Sequence, residues 1–516
     1  MAGRTLPRGE ALRPAAAPAP EAEAVYRPPF WQHVALNLAL AAAPTLVKSA
    51  ALRRPLVRRV ERALTAVQTG DATRSAGVTR DRVDFALAVL HTAERLLAEG
   101  RLGGVAVDRL LNLLLRDSMI LKGDAAIKER FVAEHGVVPP SFLVISPGQG
   151  CNLKCVGCYA SSDAASRSRL SWDVFDRPVT EERELWGGRF VVVSGGEPLV
   201  YRDQGRTLLD MAARHPDMFF MFYTNGTLID RDCARRLAEL GNVAPAISIE
   251  GLRASTDARR GGGVFDKIIE ATDNLRAARV LFGLSMTATR DNHRELLSDE
   301  LIDLFFGAKG AAFAWLFHYM PIGRSYTLDL MPTPEQRQWL WERAWQLIRE
   351  RQVFIADFWN AGTIVDGCLS AGRSGGYLYV DWNGAVSPCV FVPYAPVNIN
   401  ALYAGGQTLN DAWAAPYFEA IRQWQRQEGG FCVQGSKSCA NPLTPCLIRD
   451  HHDVFMRLAT QHEPDPVDEA AAEALADAAY HQGLLDFGQA LHATMDPVWQ
   501  ARYVDDNGEA QHREAA

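Results

Sequence analysis

The stretch FLVISPGQGCNLKCVGCYA, residues 142–160, decides the fold, because a short apolar run passes directly into a loop with three cysteines. Five similar runs follow, with helical stretches between them. The expected strands are Phe142–Ser146, Phe190–Ser194, Met218–Thr224, Ala246–Ile249, Phe282–Met286 and Phe313–Phe317. The expected helices include Gln204–Arg214, Cys233–Leu240, Phe265–Ala278 and Pro334–Arg351. Successive β-then-α units predict an α/β fold, an open, partial (β/α)6 parallel barrel with helices outside.

The composition describes a large globular chain. Its 516 residues are 48% hydrophobic and 22% charged, enough for roughly two to four domains. The net charge of −7 argues against a protein that binds nucleic acid through its phosphates, so we expect no nucleic-acid partner. Nine cysteines are too few for a disulfide scaffold. Because eight of them fall in two groups, they indicate metal or cluster ligation in a reducing compartment.

Five segments are expected along the chain. Residues 1–29 form a disordered tail rich in Ala and Pro, and 30–137 an all-helical region. The barrel occupies 138–360 and a loop-rich, cysteine-bearing domain 361–463. An acidic, Ala-rich helical tail fills 464–516.

The N-terminal region also bears on localisation. Its apolar run from Val34 to Val47 is interrupted by Pro44 and is shorter than the roughly 20 residues that span a bilayer. Because export would expose the thiols to oxidant, we expect a cytoplasmic protein. Residues 31–62 pair an apolar half with a basic cluster. Such a helix lies peripherally on an anionic membrane or packs on the next domain, and packing is the favoured interpretation.

The cysteine loop carries the chemistry. Cys151, Cys155 and Cys158 form a C-x3-C-x2-C array, and thiolates so spaced can surround one iron–sulfur cluster. Three ligands for a four-iron cluster leave one iron for another ligand. The alternatives are a structural zinc site, which needs a fourth Cys or His nearby, and unliganded core cysteines.

A second motif, SGGEP at 194–198, ends the second expected strand. Gly195 and Gly196 allow a ligand close to the backbone, and Glu197 adds an acceptor. An ordinary turn is the alternative interpretation. The position of the motif, one βα unit after the cysteine loop, favours a binding site at the C-terminal strand ends.

With these two motifs the sequence resembles the radical SAM superfamily, over roughly residues 140–350. The resemblance implies that Cys151, Cys155 and Cys158 are the catalytic [4Fe–4S] ligands and that S-adenosylmethionine (SAM) chelates the fourth iron. It implies reductive cleavage of SAM to a 5′-deoxyadenosyl radical, which abstracts hydrogen from an unactivated C–H bond. The implied SAM-binding residues are Gly157, Tyr159, Gly195, Gly196, Glu197, Thr224, Asn225, Ser248 and Arg260. Of these, Arg260 suits a carboxylate because a guanidinium binds one in a bidentate manner.

The second cysteine group resembles the SPASM/Twitch extension, which binds auxiliary [4Fe–4S] clusters. It contains Cys368, Cys389, Cys432, Cys439 and Cys446. Its last spacings, six and six, depart from the C-x2-C-x5-C-x3-C of a full SPASM set. Five thiols support one auxiliary cluster. We expect Cys368, Cys389 and Cys446 as ligands, with Cys432 or Cys439 as the fourth; an oxidised loop or a zinc knuckle is the alternative.

Two features of the sequence bear on the substrate. The basic N-terminal helix and the aromatic-rich stretch 313–359 favour an apolar or membrane-presented substrate, such as a lipid alkyl chain. Two alternatives remain, a peptide- or protein-modifying maturase and a non-catalytic iron–sulfur electron carrier or sensor. A reductant such as flavodoxin or ferredoxin is the implied electron donor.

Overall fold

A computed structural model describes residues 49–67, 75–111, 124–427 and 441–504. The expected disordered tail at 1–29 therefore lies outside the described residues, as do Cys432 and Cys439 of the second cysteine group.

Ten strands of the described residues form one sheet. They are β1 Phe142–Ile145, β2 Phe190–Val193, β3 Phe219–Thr224, β4 Val243–Ile249, β5 Gly283–Ala288, β6 Ala314–His318, β7 Ile355–Asp357, β8 Tyr377–Val380, β9 Ala385–Ser387 and β10 Val397–Asn398. Their order is β10-β9-β8-β1-β2-β3-β4-β5-β6-β7. The strands from β8 to β7 in this order are parallel, whereas β9 pairs antiparallel with both β8 and β10.

Apolar residues hold the sheet from both faces. In β1, Leu143 and Ile145 are completely buried, and the register places them beside Val191 and Val193 of β2. Near-continuous apolar runs of this kind are typical of parallel strands covered on both sides. Side chains from β1 to β6 line a single cavity, so the sheet curves around it. The expected α/β fold with an open parallel barrel is confirmed.

All six expected strands are present, with ends that differ by a few residues. The sheet also extends beyond them at both edges. At one edge β7 pairs with β6, and at the other β8 pairs with β1 in a register that places Tyr377 beside Phe142. The region after residue 361, which was expected to be loop-rich, therefore continues the barrel sheet. The two expected domains contribute strands to the same sheet.

Helices cover the sheet and form both ends of the described chain. They are α1 Ala50–Val67, α2 Ala76–Ala98, α3 Gly104–Leu110, α4 Ala125–His135, α5 Trp172–Glu181, α6 Leu208–Arg214, α7 Arg231–Leu240, α8 Arg253–Arg260, α9 Val264–Ala278, α10 His293–Leu296, α11 Asp299–Ile302, α12 Pro334–Arg351, α13 Gly362–Val365, α14 Ile399–Ala404, α15 Leu409–Trp413, α16 Pro416–Gln427, α17 His452–His462, α18 Glu469–Ala476 and α19 Ala478–Trp499. None of these described helices combines the length and the apolar character needed to cross a bilayer.

The terminal helices pack on the body of the protein. Arg53 of α1 lies 3.5 Å from Glu94 of α2, which agrees with the packing interpretation of this helix. At the other end, α19 buries Leu484, Leu491 and Met495. The expected C-terminal helical tail is thus a packed element as far as Val504.

Candidate active site

A cavity of about 420 Å³ lies inside the curve of the sheet. It extends from Phe142 and Phe190, at the first residues of β1 and β2, to His318 at the last residue of β6. Its wall contains all the residues that the sequence assigns to the SAM cluster and to SAM. These are Cys151, Cys155, Gly157, Cys158, Tyr159, Gly195, Gly196, Glu197, Thr224, Asn225, Ser248 and Arg260. The structure therefore brings the two motifs and the four more distant residues, Thr224, Asn225, Ser248 and Arg260, to one site.

The three thiols of the cysteine loop are half-buried and lie close enough to affect one another. Burial raises the pKa of Cys151 to about 11, and the neighbouring Glu197, Cys155 and Cys158 raise it further against a lowering hydrogen bond from the Leu153 amide. Burial also raises the pKa of Cys155, whereas Arg260 lowers it. Three thiolates this close repel one another unless a positively charged group binds all of them. The three sulfur donors therefore fit an iron–sulfur cluster, which binds thiolates.

Backbone approach explains the two glycines of the second motif. A Cβ atom on Gly196 would lie 2.3 Å from the carbonyl oxygens of Gln149 and Gly150, just before the first cysteine. Gly195 has φ of +108°, a conformation that favours glycine, and its amide donates to the Tyr159 hydroxyl at 2.9 Å. The motif is therefore packed directly against the cysteine loop and is not an isolated turn.

Glu197 holds the ends of two strands together. Its carboxylate accepts hydrogen bonds from the Thr224 hydroxyl at 2.7 Å and from the Asn225 amide at 2.8 Å, both at the end of β3. It also accepts one from the Leu199 amide at 3.1 Å. Burial raises the pKa of Glu197, and these hydrogen bonds lower it. The Glu197 side chain thus fixes the position of the motif relative to the end of β3. Gly195 and Gly196 of the motif line the cavity.

Ser248 and Arg260 reach the cavity from β4 and the end of α8, but the arginine already has a partner. Its Nη2 lies 2.5 Å from the Glu250 carboxylate, which is almost fully buried. Arg259 binds the other oxygen of Glu250 at 2.5 Å and also donates to the Val156 carbonyl in the cysteine loop. Glu250 and Arg259 are functional candidates that the motif comparison missed. The position of Glu250, one residue after a buried strand, is the sequence signal that could have identified it.

Arg324 is a further residue that no sequence signal identified. Its guanidinium donates to the Cys155 carbonyl at 3.0 Å, and its backbone amide donates to the Cys158 carbonyl at 3.0 Å. The segment after β6 therefore fixes the backbone of the cysteine loop. Tyr319 supports the same loop, since a Cβ on Gly157 would lie 2.6 Å from its ring.

The described thiols of the second group also gather at one place. Burial raises the pKa of Cys389, and Cys368 and Cys446 raise it further, so the three sulfur atoms lie within electrostatic reach of one another. The Tyr377 hydroxyl lies 3.0 Å from the Cys389 Sγ. This donor set suits an auxiliary cluster. Among the described residues, no three or more His, Cys, Asp or Glu side chains converge closely enough to hold one metal ion.

Two further buried polar residues, His318 and Asp381, lie at or directly after the ends of β6 and β8. The His318 imidazole is buried, with Nε2 at 3.3 Å from the Asp357 carboxylate, and burial lowers its pKa. Asp381 holds a turn through hydrogen bonds from the amides of Asn383 and Ala385, both at 2.8 Å, and is not part of the cavity wall. Of these residues, His318 alone lines the cavity.

The family model for the radical SAM superfamily matches residues 145–297. The mycofactocin maturase MftC of Mycobacterium tuberculosis is 30% identical over 289 residues, which cover 54% of this chain and 70% of that protein. The chain belongs to the radical SAM superfamily. The Fe-coproporphyrin III synthase of Methanosarcina barkeri is 34% identical over 148 residues, but this match spans 28% of the chain and only 36% of that enzyme's length.

Among solved structures, the chain resembles Streptococcus suis SuiB bound to the precursor peptide SuiA, with a TM-score of 0.47 and 17% identity. That likeness covers 66% of this chain and 83% of SuiB.

Family membership confirms several expectations. The protein is a radical SAM enzyme, and its cofactors are SAM, a [4Fe–4S] cluster and an auxiliary cluster of the SPASM/Twitch type. It is therefore not a mere electron carrier. The expected lipid alkyl chain finds no support among the relatives, which fit the alternative expectation of a maturase better.

Proposed function

We propose that this radical SAM enzyme is a maturase, which abstracts a hydrogen atom from a side chain of a peptide or protein substrate. One observation carries the proposal: a single cavity joins the cysteine loop to residues beside the second cysteine group, among them Leu369, Tyr377 and Val390. A substrate group in this cavity would lie between the two centres. The match to a mycofactocin maturase over 70% of that protein's length supports the same conclusion.

The walls of the cavity favour an apolar or aromatic side chain of that substrate. Met221, Tyr223 and Trp315 project from β3 and β6 into the cavity wall. Phe317 and Phe391, with ring centroids 5.8 Å apart, continue this wall toward the second cysteine group. Aromatic walls bind an apolar group by excluding water from it, and they keep water away from a reactive radical.

The bound cluster and SAM supply the carbon-centred radical that removes the hydrogen atom. The part of the chain is to hold and aim the reactants. Cys151, Cys155 and Cys158 would hold the SAM cluster, and the backbone of Gly195 and Gly196 would approach SAM. Cys368, Cys389 and Cys446, with Cys432 or Cys439, would hold the auxiliary cluster. The cavity would also accelerate hydrogen abstraction by orienting the substrate carbon.

Arg260 would bind SAM while it keeps its contact with Glu250. The guanidinium has five N–H donors in a fixed fork, and its Nε and Nη2 atoms are directed at the carboxylate. Glu250 thereby fixes the plane of the guanidinium, and the remaining edge can face an anionic group of SAM. An electron donor such as flavodoxin or ferredoxin completes the proposed system.

A lipid alkyl chain is the second candidate substrate, because the same apolar walls also fit it. One experiment separates the two candidates. The anaerobically reconstituted full chain is incubated with SAM and dithionite, and 5′-deoxyadenosine is quantified with a peptide and protein fraction, with a lipid extract, and with neither. We expect stimulation by the peptide and protein fraction. Stimulation by lipid alone would overturn the maturase proposal, and equal formation in all three samples would show that neither fraction holds a substrate.

A matched pair of variants makes the result specific to the cavity wall. Met221→Gln adds a polar group to the wall, whereas Met456→Gln changes a partly buried methionine that lies outside it. We expect Met221→Gln to reduce the stimulation by substrate and to leave the basal formation of 5′-deoxyadenosine in place. The Met456→Gln variant should retain both.

A further inference from the structure

Helix α1 has one face that packs on the protein. Arg53 on this face is almost fully buried and lies near Glu94 of α2. On the same side of the helix, the Glu61 carboxylate binds His91 of α2 at 2.9 Å. These contacts fix the orientation of α1 and determine which of its residues point outward.

The outward face of α1 combines apolar and basic side chains. Leu52 and Leu56 are 47% and 40% exposed, which makes them two of the few large hydrophobic residues on the described surface. Because they stand four positions apart, they lie one above the other on the helix. Arg58, Arg59 and Arg62 are exposed as well. At helical spacing, Arg59 falls on the leucine stripe one turn beyond it. Arg62 and Arg58 lie farther round the exposed side of the helix, about 80° and 120° from Leu52.

The charge of this helix differs from that of the whole chain. Helix α1 contains five arginines and a single glutamate, whereas the chain has a net charge of −7. The single acidic side chain is turned toward His91. The outer face is therefore a local basic patch on a chain of net negative charge. Such a patch favours one orientation of the protein toward an anionic surface.

We propose that the outer face of α1 docks on an anionic lipid surface. Leu52 and Leu56 enter the boundary between head groups and acyl chains, while the arginine stems lie along that boundary and the guanidinium groups bind lipid phosphates. The exposed leucines distinguish a lipid from a soluble polyanion, since a nucleic acid or an acidic peptide offers them no apolar phase. The proposal does not depend on the substrate of the enzyme.

Vesicle flotation with the full reconstituted chain tests this proposal. The probes are vesicles of phosphatidylcholine alone and of phosphatidylcholine mixed with phosphatidylglycerol. We expect binding to the mixed vesicles only, with a loss at high salt because exposed charges are screened. The triple variant R58Q/R59Q/R62Q should lose roughly hundredfold in partitioning, since each arginine near an anionic surface contributes about fivefold.

Two more variants make the outcome decisive. The control R231Q/R235Q/R236Q removes three arginines from the exposed face of α7 and should bind as the unchanged protein does. The variant L52Q/L56Q should lose roughly tenfold, because its apolar contact is removed. Absence of binding to mixed vesicles would overturn the proposal. Unchanged binding of L52Q/L56Q, together with displacement by polyglutamate, would do so too and would identify a general polyanion site.

Discussion

At the scale of single residues, the site depends on close backbone contacts that the sequence signals only in part. The spacing of the three cysteines and the glycine pair at 195–196 predict the cofactor site, and the structure places these residues in the wall of one cavity. Glu250 and Arg324 were not identified from motifs, because they act through a buried ion pair and through carbonyl contacts that arise only when distant segments meet.

Gly196→Ala tests the contact between the two motifs. A Cβ atom 2.3 Å from two carbonyl oxygens would push the GGEP turn away from the cysteine loop. We expect SAM affinity to fall by at least tenfold, equivalent to about 1.4 kcal/mol, while the iron content stays near that of the unchanged protein. Gly307→Ala is the matched control, since a Cβ atom there meets nothing within 4 Å. Equal SAM affinity in the two variants would contradict a role of the close contact between Gly196 and the cysteine loop in SAM binding.

Cys155→Ala tests the assignment of the two cysteine groups. The unchanged chain should hold about eight irons in two [4Fe–4S] centres, and the variant about four. Formation of 5′-deoxyadenosine should be abolished, whereas the spectroscopic signal of the auxiliary cluster should remain. Cys233→Ala provides the control, because this half-buried thiol lies in α7 outside both groups. Retention of SAM cleavage by Cys155→Ala would show that the cluster assignment is wrong.

At the scale of helices and strands, prediction succeeded where local signals are strong. The bounds of α12 match the prediction because Thr333 and Gln336 form a capping box and Pro334 occupies the first turn, all local start signals. The six barrel strands were found from their apolar runs. Strand β8 was missed because its four residues lie between glycine-rich turns, and only pairing with β1, more than 200 residues earlier, makes them a strand.

Helix α12 also positions the second cysteine group. Arg337 donates to Asp450 at 2.8 Å, and both side chains are at most 1% exposed. The second carboxylate oxygen of Asp450 accepts from the Cys446 amide at 3.1 Å. Burial alone would raise the pKa of Asp450, but Arg337 and Arg449 hold it well below its usual range. This ion pair therefore stabilises the fold at neutral pH, and the contribution is lost as the pH falls below the ordinary range of aspartate.

Arg337→Gln should cost about 3–5 kcal/mol of stability, because it leaves a buried carboxylate without its partner. Since Asp450 anchors Cys446, we also expect the auxiliary cluster signal to weaken while the SAM cluster signal persists. Arg253→Gln is a suitable control, because both side chains of its ion pair with Asp266 are exposed and surface ion pairs contribute little to stability. Thermal unfolding and cluster spectroscopy provide the two measurements. A loss no larger than that of the control would refute the proposed anchor.

At the scale of the whole molecule, the N-terminal and C-terminal helical regions of the described chain pack against each other. Asp81 of α2 is completely buried, and its carboxylate accepts a hydrogen bond from the Tyr503 hydroxyl at 2.7 Å. It also binds Arg349 of α12 at 2.6 Å and Thr363 at 3.0 Å. Neither end carries a motif that predicts the other. A sequence can predict two helical regions, but their mutual packing depends on a polar cluster assembled from four distant segments.

This cluster predicts a pH-dependent effect of Tyr503→Phe. Burial raises the pKa of Asp81 from 3.8 to about 6, against the lowering effects of Tyr503, Arg349 and Thr363. Because the folded state binds this proton more tightly than the unfolded state does, the contribution of Asp81 to stability falls as the pH rises from about 4 to about 6 and is constant above that range. At about pH 8 the carboxylate is charged and needs its donors. The variant should then lose about 1.5–3 kcal/mol, the usual value for a hydrogen bond to a charged group.

At about pH 5 the folded-state carboxyl is mostly protonated, so Tyr503→Phe should cost markedly less than it does at about pH 8. Thermal unfolding of both proteins at the two pH values measures the difference, and hydrogen exchange in α2 locates it. The aromatic ring remains in the variant, and its stacking on Trp499 is therefore preserved. An equal loss at both pH values would mean that the hydroxyl acts through packing alone, and the closure of the two ends would not depend on the charge of Asp81.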